Sequence, residues 1–152
     1  MHRSRKSTGV LTLLGRSETA LPASPTDARL ETFPNPQPKR PYWIHLDCPD
    51  FTSLCPVTGQ PDFARIVIDY IPGKTCLETK ALKFYLASFR NEPAFNEAVI
   101  NRILDDLVRA CRPRAMKIEG KFAPRGGLGL AVVVEHPHAG AAAGAPKVWR
   151  RP

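Results

Sequence analysis

Apolar and polar residues alternate over residues 63–71, with Ala64, Ile66, Ile68 and Tyr70 on one face and Arg65 and Asp69 opposite. That period predicts a strand, which Pro72-Gly73 ends. The same period recurs over 115–122, where Met116, Ile118 and Phe122 oppose Lys117, Glu119 and Lys121. Residues 128–134 are nearly all apolar, which predicts a strand buried on both faces. Residues 42–46 alternate weakly and predict a short strand at an edge. Between these lie two helical patterns. In 78–90, Leu82, Leu86 and Phe89 form an apolar stripe, while Lys80, Lys83 and Arg90 share a second face. The next helix is opened by Asn91 and Pro93, carries the stripe Phe95, Val99, Ile103, Leu107, Val108 and Cys111, and stops at Arg112-Pro113.

The order strand, strand, helix, helix, strand, strand implies an α+β fold, with two helices on one face of a mainly antiparallel sheet. Residues 1–41 read as an N-terminal extension ending in a proline-rich connector, 42–135 as the folded domain, and 136–152 as a flexible basic tail. A core confined to the middle segment is small for 152 residues, which favours reliance on partner subunits.

Composition narrows the partners. A net charge of +8 points to an anion, either nucleic acid or a phosphorylated cofactor. Part of that excess lies at the ends, in Arg3, Arg5, Lys6, Lys147, Arg150 and Arg151. No apolar run approaches the ~20 residues of a membrane span, and Val10 to Leu14 is too short for a signal-peptide core. A cytoplasmic protein with reduced Cys48, Cys55, Cys76 and Cys111 is expected. The cysteines form no C-x-x-C pair and no zinc pattern with His2, His45, His136 and His138, so no metal is expected.

One stretch carries chemistry. From Thr52 to Asp62 two further prolines and a glycine separate Cys55 from Asp62. Proline removes donors and restricts the residue before it, so this is a shaped loop rather than a helix. A thiol on a loop with an acid in reach suits a nucleophile and a proton donor. A buried cysteine beside a turn-forming aspartate fits the same residues.

The helix Glu78-Thr79-Lys80-Ala81-Leu82-Lys83-Phe84-Tyr85-Leu86-Ala87-Ser88-Phe89-Arg90 resembles the signature of the NADPH-dependent nitrile reductases that act on 7-cyano-7-deazaguanine (preQ0). The Thr52 to Asp62 loop resembles their catalytic segment, and Lys121 to Gly127 their C-terminal strand and turn. Weaker similarity reaches Leu11 to Gly15 and Phe33-Pro34-Asn35. The resemblance implies the tunnelling fold, in which small subunits join sheets into oligomeric barrels with active sites at their interfaces. It implies NADPH as cofactor and preQ0 as substrate. It further implies that the nitrile is reduced to the aminomethyl product preQ1, a precursor in tRNA queuosine synthesis, through a thioimide on Cys55. Asp62 is the implied general acid, which requires a carboxyl protonated above the ~3.9 of a free aspartate.

The resemblance further implies that Glu97 reads the guanine-like edge through paired N–H bonds. Without it, Glu97 reads as a first-turn residue favoured by the helix dipole. Phe95 matches a position that packs on the base, and equally fits a core. Glu78 and Ser88 belong to the motif and stand as substrate-site candidates alongside Asn96. The family commonly has His where this chain has Asn96, and Leu128-Gly129-Leu130 departs from a usual Asp-Pro. Lys80, Lys83, Arg125 and Gly126 are candidates for the cofactor phosphates, the lysines being also readable as a solvated face. No G-x-G-x-x-G is present, so a Rossmann-type site is not expected.

Two other functions fit parts of the sequence. An RNA- or tRNA-binding protein would account for the charge, yet no strand interleaves aromatics with arginines as RNA readers do. A tunnelling-fold pterin-type enzyme would require zinc ligands that the His and Cys spacings do not supply. The oxidoreductase reading leads, with no membrane and no direct nucleic-acid partner expected.

Overall fold

The computed structural model describes residues 11, 14 and 20–137. The sheet has four antiparallel strands in the order β2 (Ile44–Leu54), β3 (Pro61–Ile71), β5 (Ala115–Arg125), β6 (Leu128–His136). A second, two-stranded sheet pairs β1 (Thr32–Pro34) with β4 (Thr75–Leu77). Two helices, α1 (Thr79–Ala87) and α2 (Asn96–Cys111), cover one face of the larger sheet. The α+β arrangement is therefore as the periodicity predicts.

Period-2 alternation builds the core. Ala64, Ile66, Ile68 and Tyr70 of β3 and Met116, Ile118 and Phe122 of β5 are all buried. They meet Leu82, Tyr85 and Leu86 of α1 and Val99, Ile100, Ile103 and Leu107 of α2. Helix α2 lies on β5 at Gly120, where a Cβ would stand 2.3 Å from Ile100 Cδ1 and 2.7 Å from its Cγ1. Only a residue without a side chain allows that approach. The opposite sheet face is polar, with Arg65 paired to Asp47 and His45 to Asp69.

Several boundaries differ from the sequence expectation. The first long strand runs from Ile44 to Leu54 rather than over 42–46, because a bulge between Cys48 and Phe51 absorbs Pro49 and hides the alternation. Strand β3 begins at Pro61, so Asp62 lies on a strand and only Cys55–Gln60 forms the loop. The first helix stops at Ala87 and tightens into a 3-10 turn, Ser88–Asn91. Helix α2 starts at Asn96, not at Asn91 or Pro93. Pro93 instead bridges Leu54 of β2, since the Glu92 carbonyl before it accepts from Leu54 and the Ala94 N–H after it donates to Leu54. Phe95, placed in the core stripe by its spacing, is 63% exposed.

Strand β6 is an edge strand rather than one buried on both faces. Leu130, Val132 and Val134 pack on the core, whereas Leu128 is exposed. It continues to His136, which pairs with Met116, so the folded region reaches past residue 135. The N-terminal extension is also more structured than its composition implies. Glu31 and Asn35 are buried, Ala28 and Leu30 pack on the core, and Asn35 Nδ2 donates to the Gly73 carbonyl at 2.8 Å. Residues 12, 13 and 15, and the basic residues at both termini, lie outside the described residues. No helix among the described residues is long and apolar enough to cross a membrane.

Candidate active site

Strand β2 ends at Leu54, and what Leu54 pairs with decides what surrounds the thiol. Its N–H donates to the Glu92 carbonyl and its carbonyl accepts from the Ala94 N–H, both at 3.1 Å. This bridge brings Phe95, Asn96 and Glu97, at the start of α2, beside the Cys55 loop. The loop closes on itself: Cys55 N–H donates to the Gln60 carbonyl at 2.8 Å and Gly59 N–H to the Cys55 carbonyl at 2.9 Å. Gly59 adopts φ 69, which a side chain would disfavour.

Inside this ring the thiol is polarised. The Cys55 pKa is lowered from 9.0 to about 7, first by hydrogen bonding from the Thr58 hydroxyl, then by the Thr58 and Val57 backbone N–H groups, with the Arg125 charge adding a smaller effect. The other cysteines differ. Burial pushes Cys48 up, and pushes Cys111 up to about 12. All four are unpaired thiols, and Cys55 differs from Cys48 and Cys111 in having its thiolate favoured.

Asp62 enters from β3, directly across from Ser53 on β2. Its side chain is only 11% exposed, and its Oδ1 accepts from Arg125 Nη2 at 2.9 Å. Arg125 also donates to the carbonyls of Pro61 at 2.8 Å and Gln60 at 3.3 Å. Thus Cys55, Asp62 and Arg125 come together at one end of the sheet.

Two buried side-chain atoms among the described residues have no hydrogen-bond partner, Ser53 Oγ and Asn96 Oδ1. They flank the Leu54–Pro93 bridge on its two sides. A buried polar atom without a partner costs about 1–3 kcal/mol. Phe95 presents its ring to the outside and Glu97 is exposed in the first turn of α2. Ser53 escaped the sequence reading because the bulge conceals its inward register. Thr58 was within the singled-out loop, and its position three residues after Cys55 is the signal that finds it.

The other site candidates lie along α1 and at the β5–β6 turn. Glu78 is the N-cap of α1, its carboxylate accepting from the Lys80 and Ala81 N–H groups at 2.8 Å each. Ser88 is fully buried and donates to the Tyr85 carbonyl. Within the chain both side chains bond to the helix backbone. Lys83 lines a groove of about 420 Å3 with Arg90, Thr79 and the bulged Asp47–Thr52 segment, while Arg125 is engaged on Asp62. The expected basic cluster is therefore divided between two surroundings. Gly126 and Gly127, at φ 56 and 81, form the β5–β6 turn. No group of three or more His, Cys, Asp or Glu among the described residues is arranged to hold a metal ion.

The profile of the QueF family, described as QueF-like protein, matches residues 61–141. A NADPH-dependent 7-cyano-7-deazaguanine reductase of Nitrosospira multiformis is 56% identical over 120 residues, covering 79% of this chain and 86% of that protein. The chain belongs to this family. Another family member, the reductase of that description from Alkalilimnicola ehrlichii, is 56% identical over 119 residues, 78% of this chain and 92% of its own length. That of Nitrosomonas europaea is 58% identical over 108 residues, 71% and 78% respectively. Among solved structures, the archaeosine synthase QueF-Like in its apo form aligns with TM-score 0.59 and 25% identity. The alignment covers 64% of this chain and 95% of that one. The family's tunnelling fold is thus shared with a protein of a different named activity, so it is the site that must distinguish the chemistry.

Proposed function

We propose that this protein is an oxidoreductase that reduces the nitrile of preQ0 to the aminomethyl group of preQ1 with NADPH, a step of tRNA queuosine synthesis. The observation that carries the reading is a thiol poised at about 7 beside Asp62, at a junction that also holds Phe95, Asn96 and Glu97.

The Cys55 thiolate adds to the electrophilic nitrile carbon, forming a C–S bond and breaking one C–N π bond. The negative charge moves to the nitrile nitrogen, which takes up a proton and leaves a thioimide. Asp62, ion-paired to Arg125, receives the thiol proton and returns it to that nitrogen, so proton and charge balance without an outside acid. Glu97 accepts paired N–H bonds from the guanine-like edge, and Phe95 packs on the base. Asn96 offers its unpartnered Oδ1 as a further acceptor.

The donor set suits a phosphorylated dinucleotide: Lys83 and Arg90 line the groove beside α1, Lys80 precedes Lys83 by one turn, and Arg125 and Gly126 edge the loop. NADPH, when bound, supplies hydride, and converting a nitrile to an amine takes two such equivalents. Lys80, Lys83, Arg125 and Gly126 are accordingly proposed at its phosphates. Glu78 and Ser88 support the site by fixing the ends of α1.

Assembly into a homo-oligomer completes the reading. Apart from the Pro93 bridge at Leu54, the edge strands β2 and β6 pair with no further strand on their outer sides among the described residues, and Trp43, Val57, Phe63 and Leu128 are exposed. Such edges favour sheet-to-sheet joining of copies. The test is NADPH oxidation with and without preQ0. Oxidation of two NADPH per preQ0 is expected. NADPH oxidation independent of preQ0, or none at all in folded protein, would sink the reading.

A further inference from the structure

Strand alternation alone would send Arg125 to the wrong side of the sheet. Phe122 faces the core, so three residues later a regular strand points outward. The β5–β6 register shifts between Phe122 and Arg125: Phe122 pairs with Leu130 and Arg125 with Leu128. That one-residue bulge turns Arg125 onto the face of Phe122 and Asp62, the re-aiming that bulges produce. The positive-φ pair Gly126-Gly127 then closes the turn immediately behind it.

Everything Arg125 touches belongs to the thiol's surroundings. A single nitrogen, Nη2, donates to Asp62 Oδ1 and to the carbonyls of Pro61 and Gln60. The Gln60 carbonyl is the same one that accepts from Cys55 N–H and closes the loop. We propose that Arg125 is a positioning residue for the reactive thiol, a clamp that fastens the β5–β6 turn to the Cys55–Gln60 loop and to Asp62. This role is separate from any contact with a cofactor phosphate.

The clamp acts chiefly through the loop. The groups that favour the thiolate are the Thr58 hydroxyl and the Thr58 and Val57 N–H groups, all carried by the segment that Arg125 pins at its far end. The guanidinium charge adds a smaller effect of the same sign. The charged groups around Cys55 are Asp62 from β3, Arg125 from β5, and Glu97 on the first turn of α2. Glu92, in the segment paired to Leu54, is itself engaged by Arg102 at 3.1 Å. Removing Arg125 frees the loop and takes away the guanidinium charge, and both changes disfavour the thiolate.

The inference rests on Cys55 being the nucleophile, and its test uses neither preQ0 nor NADPH. The full chain is alkylated with iodoacetamide across a pH series, and labelling is read at each cysteine by peptide mass spectrometry. Arg125→Ala should move the Cys55 midpoint upward by about one pH unit. Arg125→Lys should return most of that shift, because one nitrogen makes all three contacts. Buried Cys76 and Cys111 serve as fold reporters and should stay unlabelled. An Arg125→Ala profile that overlays wild type, with Cys76 and Cys111 protected, overturns the clamp. If Arg125→Ala unfolds, the neutral Arg125→Gln decides. An upward shift of its midpoint supports the clamp, and a wild-type midpoint in the folded Gln variant overturns it. A shifted midpoint in a protein that never forms a preQ0 adduct would keep the clamp and remove the function.

Discussion

Adding one methyl group at Gly120 should disturb both the core and the active site. A Cβ there would lie 2.3 Å from Ile100 Cδ1, far inside ordinary contact distance, and Ile100 is fully buried. Either the isoleucine leaves its rotamer or α2 moves off β5. Overpacking of this kind costs about 1–3 kcal/mol. Replacing glycine within a strand returns about 0.5–1 kcal/mol, so a net destabilisation of up to roughly 2.5 kcal/mol is expected. Because Ile100 lies one turn beyond Asn96 and Glu97, any displacement of α2 also moves the base-binding candidates away from Cys55. Urea unfolding should therefore report a lower midpoint for Gly120→Ala, and preQ0 turnover should fall further than the unfolded fraction explains. Ile100→Ala removes both clashing atoms, so in that background Gly120→Ala should be neutral or stabilising. A penalty of equal size in both backgrounds would refute the steric argument.

Three other outcomes are expected. Thr58→Val removes the largest contributor to the lowered Cys55 pKa, so the rise of preQ0-adduct formation with pH should move from near 7 toward 9.0; an unmoved profile would contradict the assignment. Lys80→Ala and Lys83→Ala should raise the NADPH KM by about one to two decades, the loss of a charge-assisted hydrogen bond, while adduct formation persists; unchanged KM and cofactor preference would mark a solvated face. Light scattering at micromolar concentration should give a mass several times 16.8 kDa, and a folded, active monomer would remove the interfacial site from the account.

The sheet and helices were legible because the alternation in 63–71 and 115–122 and the stripe from Val99 to Cys111 are regular. The thiol loop was legible because proline and glycine exclude a helix there. What was hidden depended on departures from regularity. The bulge at Cys48–Phe51 masked the strand that carries Ser53, and the bulge before Arg125 masked its turn toward Asp62. Phe95 obeys the helical spacing yet precedes the helix, because the Glu92–Ala94 segment prefers strand bonds to Leu54. Spacing alone cannot reveal such tertiary competition. Glu78 begins the motif, and its capping bonds appear only once the helix start is known.

The most direct test of covalent catalysis at Cys55 is intact-protein mass spectrometry after mixing with preQ0 in the absence of NADPH. A mass increase equal to one preQ0, absent in Cys55→Ala, is expected. An equally abundant adduct on the Cys55→Ala protein would contradict the account.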